Sequence, residues 1–123
     1  MNGKALMLIC ASVMLSSLAQ VVLKLGMSRP GMRGPFESFA ATLWAFGSNP
    51  VLLGGMAMYG LGALAWLGVL ARMEVSAAYP FAGLGFVVTM ALGFLVFGEA
   101  LTAPRVLGTA MIVAGVVLVA RSA

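Results

Sequence analysis

The stretch that decides the fold is residues 5–23, ALMLICASVMLSSLAQVVL, an apolar run bounded by Lys4 and Lys24. No residue inside it is charged, and its length is close to the roughly 20 residues that an α-helix needs to cross a bilayer. A secretory signal is the alternative, because Ser17 and Ala19 are spaced as in a cleavage site. The apolar run continues past that site, so we expect a retained membrane-spanning helix.

Three further apolar runs follow the first one. The second is preceded by Asn49 and Pro50, a capping residue and a proline suited to the first turn. The third follows a turn of three residues, so the second and third helices should form a tight antiparallel hairpin. The approximate helices are 5–25, 51–71, 75–98 and 104–120. The prediction is an all-α fold: one domain, 1–123, forming a bundle of four transmembrane helices.

The composition supports a membrane protein and excludes several other classes. Hydrophobic residues make up 63% of the chain and charged residues 8%, against about 45–50% and about 25% in soluble domains. Seven Lys and Arg exceed three Asp and Glu, but they are scattered rather than clustered, so we expect no nucleic-acid partner. With one cysteine and no histidine, we expect no internal disulfide, no metal site and no cofactor. The carboxylates lie outside the apolar runs, so we expect no catalytic residues and no enzyme activity.

The loop between the first two helices contains a short amphipathic pattern. Phe36, Phe39, Leu43 and Phe46 recur at spacings of three, four and three, with Trp44 beside them. This predicts a short helix that either lies among the lipid headgroups or packs over the mouth of the bundle.

The positive charges leave the membrane orientation weakly determined. With four helices, Lys4, Arg72 and Arg121 lie on one side of the membrane. Arg29, Arg33 and Arg105 lie on the other side, with Lys24 at its boundary. Three charges against three or four give almost no positive-inside bias. The chain could insert in both orientations or be oriented by a partner.

The first helix carries an ordered set of polar residues. Ser12, Ser16, Gln20 and Lys24 recur every fourth position, which places them on one slowly turning face. Such a face should avoid lipid and line a polar path. Gln20 alone could equally hold two helices together, and Lys24 could simply extend to the interface.

The last two helices combine a predicted bend with small residues. Pro80 removes a hydrogen bond early in the third helix and should bend it, and Tyr79 beside the bend is either an interface anchor or a wall of a substrate site. Gly83, Gly85 and Gly93 predict close helix packing. In the fourth helix, Gly108 and Gly115 lie seven residues apart and predict a seam with a second chain. We therefore expect a dimer.

Three short motifs, together with the fourth helix, give the chain a family resemblance. They are Ala19-Gln20-Val21-Val22-Leu23-Lys24-Leu25-Gly26-Met27-Ser28, Ser76-Ala77-Ala78-Tyr79-Pro80 and Phe97-Gly98-Glu99. In this order they resemble the small multidrug resistance proteins of the drug/metabolite transporter (EamA-like) superfamily. Within it, the chain is most similar to aminoarabinose-phosphoundecaprenol flippase subunits of the ArnF/ArnE type, particularly the F-type.

One difference from that family changes the expected substrate. Small multidrug exporters have a membrane-embedded Glu in the first helix, and Ser16 takes its place here. We therefore do not expect this chain to exchange a cation for protons in the way that carboxylate allows. Gln20 and Lys24, a neutral hydrogen-bonding group and a cation, suit a phosphate better than a drug cation.

The resemblance implies a lipid-transport function. We expect a multi-pass subunit in the bacterial inner membrane that translocates an undecaprenyl-phosphate-linked sugar, aminoarabinose for lipid A modification in lipopolysaccharide biosynthesis. Lys24, with Arg105 as a second candidate, should hold the phosphate. Ser16, Gln20 and Tyr79 are the expected contacts of the sugar.

Partners and alternatives follow from the same resemblance. The partners would be the lipid-linked sugar phosphate, the membrane lipids and a second chain, either identical or a paralogous subunit. One alternative is a small multidrug-type exporter of cationic drugs or polyamines. The other is a non-transporting membrane anchor of a glycosyltransferase complex, which would not need the polar face of the first helix.

Overall fold

The computed structural model describes residues 3–122, and four of its helices are long and apolar enough to cross a membrane. Those spans are α1 (Gly3–Met27), α3 (Pro50–Leu70), the interrupted third span Val75–Phe97, and α6 (Ala103–Ser122). Within the described residues there is no strand. The all-α, four-helix membrane fold predicted from the sequence is confirmed, and the helix ends differ from the expected ones by at most two residues. The dimer stays a prediction.

Local chemistry explains where the helices begin and end. Asn49 caps α3 through its Oδ1, which accepts a hydrogen bond from Leu52 N at 3.1 Å. Gly98 ends the third span in the left-handed conformation, at φ 67°, which costs a glycine little. Thr102 Oγ1 accepts a hydrogen bond from Arg105 N at 3.4 Å at the start of α6, which is the geometry of a helix cap.

The first loop contains the predicted short helix, α2 (Phe39–Gly47). Ser38 caps it, because its Oγ accepts a hydrogen bond from Ala41 N at 3.1 Å. Phe36 packs edge-to-face on Phe46, and Trp44 is 77% exposed. The helix therefore presents part of its apolar surface outward, where headgroups or lipid would meet it.

The closest helix pair is α1 and α3, which run antiparallel along a seam of glycines. A Cβ added at Gly26 would lie 2.9 Å from Leu52 N, one at Gly55 2.9 Å from Leu23 Cδ2, and one at Gly62 2.7 Å from Ser16 Oγ. Only glycine allows the backbones to approach this far. The seam fixes the polar face of α1 against α3.

The third span consists of α4 (Val75–Ala78), a 3-10 segment at Tyr79–Gly83 and α5 (Leu84–Phe97). The change of helix type occurs at Pro80, where the sequence predicted a bend. Gly85 packs against Ser17 on α1, whereas Gly83 packs against Ile112 on α6. Gly83 and Gly85 thus serve close helix packing, but against two different neighbours, whereas Gly93 is covered by the Glu99 side chain.

The buried apolar core lies at one end of the bundle. Its members are Ile9, Val13, Val69, Ala78, Phe81 and Val116, close to the turn that joins α3 to α4. Because numbering on α1 and on the third span rises together through this core and on to the contact of Ser17 with Gly85, these two helices run parallel. A cavity between α1, α3 and the third span begins beside this core, at Val13, and extends toward Gln20.

Candidate functional site

A cleft of about 600 Å³ lies between α1, α3 and the third span. The α1 wall is polar, and the opposite walls carry aromatic rings and a threonine. Its lining includes Ser12, Ser16, Ser17 and Gln20 from α1, Tyr59, Gly62 and Trp66 from α3, and Tyr79, Phe86 and Thr89 from the third span. The structure therefore brings Ser16, Gln20 and Tyr79, three of the predicted site residues, to one cleft.

The polar face of α1 divides into bonded and available groups. Ser12 Oγ donates to the Gly62 carbonyl on α3 at 2.8 Å, and Ser17 Oγ donates to Val13 O one turn back at 2.7 Å. Within residues 3–122, the hydroxyl of Ser16 and the amide of Gln20 form no hydrogen bond. Ser12 therefore joins two helices, while Ser16 and Gln20 keep groups that a ligand could use.

An aromatic wall faces these polar groups. Trp66 and Tyr79 pack edge-to-face, with ring centroids 6.4 Å apart and planes at 78°. Tyr79 is 67% exposed, so much of its ring is open to the cleft and its surroundings. Tyr79 is the first residue of the 3-10 segment that contains Pro80, so this change of helix type positions the tyrosine ring.

Trp66 and Tyr59 also line the cleft, although they were not among the predicted site residues. They lie seven residues apart on α3 with Gly62 between them, at spacings of three and four. That pattern places all three on one helix face. This spacing could have indicated that the three residues line a cavity, but almost every residue of α3 is apolar, so no face of the helix is distinguished by its sequence.

Lys24 lies outside the cleft lining, one helical turn beyond Gln20. Its side chain is exposed, and it takes part in no ion pair or side-chain hydrogen bond within the described part of the chain. It stands at the end of α1 where Ser28 Oγ bonds back to the Lys24 carbonyl at 2.7 Å. The cation is thus free to reach toward a ligand that occupies the cleft.

Arg105, the remaining predicted site residue, lines a second cavity of about 630 Å³. Its Nη1 donates to the Ala100 carbonyl at 2.8 Å. Phe86 and Thr89 line both this cavity and the cleft, so the two are neighbours across one wall. Glu99 is the other charged residue of the second cavity.

The groups at this site are hydrogen-bonding, aromatic and cationic. In residues 3–122, no group of three or more His, Cys, Asp or Glu side chains could hold a metal ion. The cleft offers a hydroxyl, an amide and aromatic rings, with Lys24 one turn beyond Gln20 and Arg105 in the neighbouring cavity. Those groups suit a solute with hydroxyls and an anionic group.

Several bacterial proteins resemble the chain over nearly its whole length. A protein of Pseudomonas savastanoi pv. phaseolicola named "Probable 4-amino-4-deoxy-L-arabinose-phosphoundecaprenol flippase subunit ArnE" is 37% identical over 117 residues, covering 95% of this chain and 97% of the relative. A Pseudomonas aeruginosa protein with the same name is 36% identical over 117 residues, covering 94% and 96%. An uncharacterised protein of Sinorhizobium fredii, y4nH, is 30% identical over 123 residues, covering 98% of each chain.

Two other comparisons gave no match: no family model and no solved structure matches the chain. The two named relatives carry the E-type name, whereas the sequence resemblance favoured the F-type. Both names describe subunits of the same flippase, so the resemblance at the level of the family is confirmed.

Proposed function

The chain belongs to the family of 4-amino-4-deoxy-L-arabinose-phosphoundecaprenol flippase subunits, and from this premise we propose that it moves that lipid-linked amino sugar between the leaflets of the inner membrane. It is a multi-pass membrane protein. The observation that carries the proposal is the cleft, which exposes Gln20 and Ser16 inside an otherwise apolar bundle. A polar path of this kind is costly in a membrane unless a polar solute uses it.

The lipid divides its contacts between bilayer and protein. Its polyprenyl tail can stay among the lipid tails, because hydrocarbon is already its preferred solvent. Only the sugar and phosphate need shelter. Gln20 and Ser16 supply hydrogen bonds to sugar hydroxyls, and the rings of Trp66 and Tyr79 offer an apolar wall for the sugar's carbon face.

The phosphate would be held by Lys24, one turn beyond Gln20. A charge-assisted contact to a phosphate is stronger than a neutral hydrogen bond, and Lys24 has no competing partner in residues 3–122. Arg105 is the second candidate, but its guanidinium is already engaged with the Ala100 carbonyl. This difference favours Lys24.

A second chain would complete the transporter, either an identical copy or a paralogous subunit. The outer face of α6 supports this proposal. A Cβ added at Gly108 or Gly115 would meet nothing within 4 Å, so the small-residue face is open to an incoming helix.

The test is transport of the amino-sugar lipid in proteoliposomes. Vesicles would be loaded with the lipid on the inner leaflet and treated with an amine-reactive reagent that cannot cross the membrane. Labelled lipid should accumulate faster than in protein-free vesicles. Release of a cationic dye without lipid labelling would favour the exporter alternative, and movement of neither would favour the anchor.

The chain contains a matched pair of tryptophans for the control. Trp66 lines the cleft, and Trp44 on α2 lies outside it and is exposed. Trp66→Leu should slow labelling by roughly tenfold, since it removes the aromatic wall. Trp44→Leu should leave the rate unchanged. Equal rates for the two variants would remove Trp66 from the site.

A further inference from the structure

Glu99 is placed by the geometry at the end of the third span. Gly98 is left-handed, with φ 67° and ψ 25°, and Glu99 N then donates to Gly93 O at 3.2 Å. The side chain of Glu99 lies over Gly93, where an added Cβ would be 3.2 Å from Glu99 Cδ and would overlap Oε1. The glycine at position 93 thus makes room for the carboxylate.

Among the described lining residues of the two cavities, the one carboxylate is that of Glu99. Glu99 lines the second cavity, whereas Glu37 and Glu74 line neither. Within residues 3–122 it is paired with no cation, because Arg105 donates to Ala100 O instead. An unpaired carboxylate at a cavity wall attracts a cation.

Glu99 and Lys24 lie at the same depth in the bundle. From the contact of Ser17 with Gly85, seven residues lead to Lys24 and eight lead to Gly93. On parallel helices these are rises of about 10 Å and about 12 Å. One negative and one positive side chain are therefore available at about one level of the bundle.

We propose that Glu99 binds the protonated amino group of the lipid-linked sugar, which makes it the residue that selects an amino sugar over a neutral one. This rests on the proposed function. The substrate carries a cationic amine at carbon 4 and an anionic phosphate at the anomeric carbon, on opposite ends of the sugar. Glu99 and Lys24 match those two charges, and Gln20, one turn before Lys24, can bond a hydroxyl of the ring between them.

The experiment compares binding of two lipids that differ only at the amine. They are 4-amino-4-deoxy-L-arabinose-phosphoundecaprenol and its N-acetylated derivative, whose amide nitrogen carries no charge. Native mass spectrometry would give the ratio of their dissociation constants for the wild-type protein, purified with any subunit that accompanies it. We expect the amino lipid to bind roughly tenfold to a hundredfold more tightly.

Two variants should abolish that preference, and one should not. Glu99→Gln keeps the shape but loses the charge, so it should bind both lipids about equally, with affinity for the N-acetylated lipid unchanged. Gly93→Ala should act similarly, because its Cβ displaces the far end of the Glu99 side chain rather than the backbone. Glu74→Gln, at the opposite end of the third span, is the control and should retain the preference.

The outcomes separate this inference from the proposed function. If the wild-type protein prefers the amino lipid and Glu99→Gln keeps the same preference, Glu99 is not the selecting residue, although the flippase function stands. If the wild-type protein binds neither lipid more tightly than phosphatidylglycerol, the proposed function fails and this inference fails with it.

Discussion

At the scale of single residues, substitutions of Lys24 should have the largest effect on binding of the lipid. Its ammonium is unpaired within the described residues and stands one turn beyond the cleft. Lys24→Ala should weaken binding of the lipid phosphate by roughly tenfold to a hundredfold, the range of a lost charge-assisted bond. Lys24→Arg should keep much of the binding, and Lys24→Glu should abolish it by repulsion. The measurement is binding and transport of the lipid at matched protein levels.

Lys4 provides the control for Lys24, because it lies at the other end of α1. Lys4→Glu should leave binding unchanged. Normal transport by Lys24→Glu would reduce Lys24 to an interface residue and would direct attention to Arg105 or the first loop.

Gln20 should act through hydrogen bonding alone. Its amide is exposed in the cleft without a partner in residues 3–122, so Gln20→Ala should slow transport several-fold while leaving the fold intact. Ser12→Ala is the informative comparison, because its hydroxyl joins α1 to α3. That change should lower stability by about 1 kcal/mol, which unfolding in mixed detergent would detect. If the two variants were equally stable, Ser12 would not hold α1 against α3 while Gln20 serves binding alone.

The residue scale also shows what the sequence could predict of the site. The four-residue spacing placed Ser16 and Gln20 on one face, and both line the cleft. It could not show that Ser12 would donate to a carbonyl of α3, because that bond depends on how close Gly62 lets the helices come. Trp66 was missed because nothing local marks which side of an apolar helix faces a cavity.

At the scale of helices, the glycine seam between α1 and α3 determines stability. Gly62→Ala places a Cβ 2.7 Å from Ser16 Oγ and 3.3 Å from Ser16 N, so the hydroxyl must rotate and the helix backbones must give by a few tenths of an ångström. The expected cost is about 1–3 kcal/mol, typical of overpacking. Gly60→Ala, two residues earlier and with nothing within 4 Å, should be neutral or stabilise by about 0.5–1 kcal/mol. Equilibrium unfolding would measure both, and similar values would argue against the seam.

The helices themselves were far more predictable than the contacts between them. Length, hydropathy and capping residues such as Asn49 are local properties, so they can be read from the sequence. Which helix a residue packs against depends instead on residues far away in the sequence. Gly83 and Gly85 were predicted on one packing face, yet residues two apart on a helix point to opposite sides, so Gly83 contacts α6 and Gly85 contacts α1.

At the scale of the whole molecule, the open face of α6 predicts assembly. Replacing Gly108 and Gly115 together by Leu should block close approach of a second helix and raise the dissociation constant of the dimer by at least roughly tenfold. Replacing Gly54 and Gly60 by Leu, also with nothing nearby, controls for added bulk on an exposed face. Cross-linking in membranes would report the assembly. A Gly108 and Gly115 double variant that still assembled would place the seam elsewhere.

The distribution of positive charge predicts weakly fixed orientation. Three Lys and Arg on one side face three or four on the other, so the insertion bias is small. Reporter fusions at the C-terminus should give signal from both sides, and adding one or two lysines to a terminus should shift the ratio. A single orientation that ignores such additions would indicate that a partner or the first loop determines topology.

The unequal packing of the four spans has a mechanical consequence. Val116 is the one buried residue of α6, whereas α1 and α3 are sealed by glycines along most of their length. If the chain were pulled from its C-terminus by a cantilever, α6 should leave the bilayer by itself at low force. The pair of α1 and α3 should resist longer and come out in one larger step, so mechanical strength is concentrated in the first half of the chain.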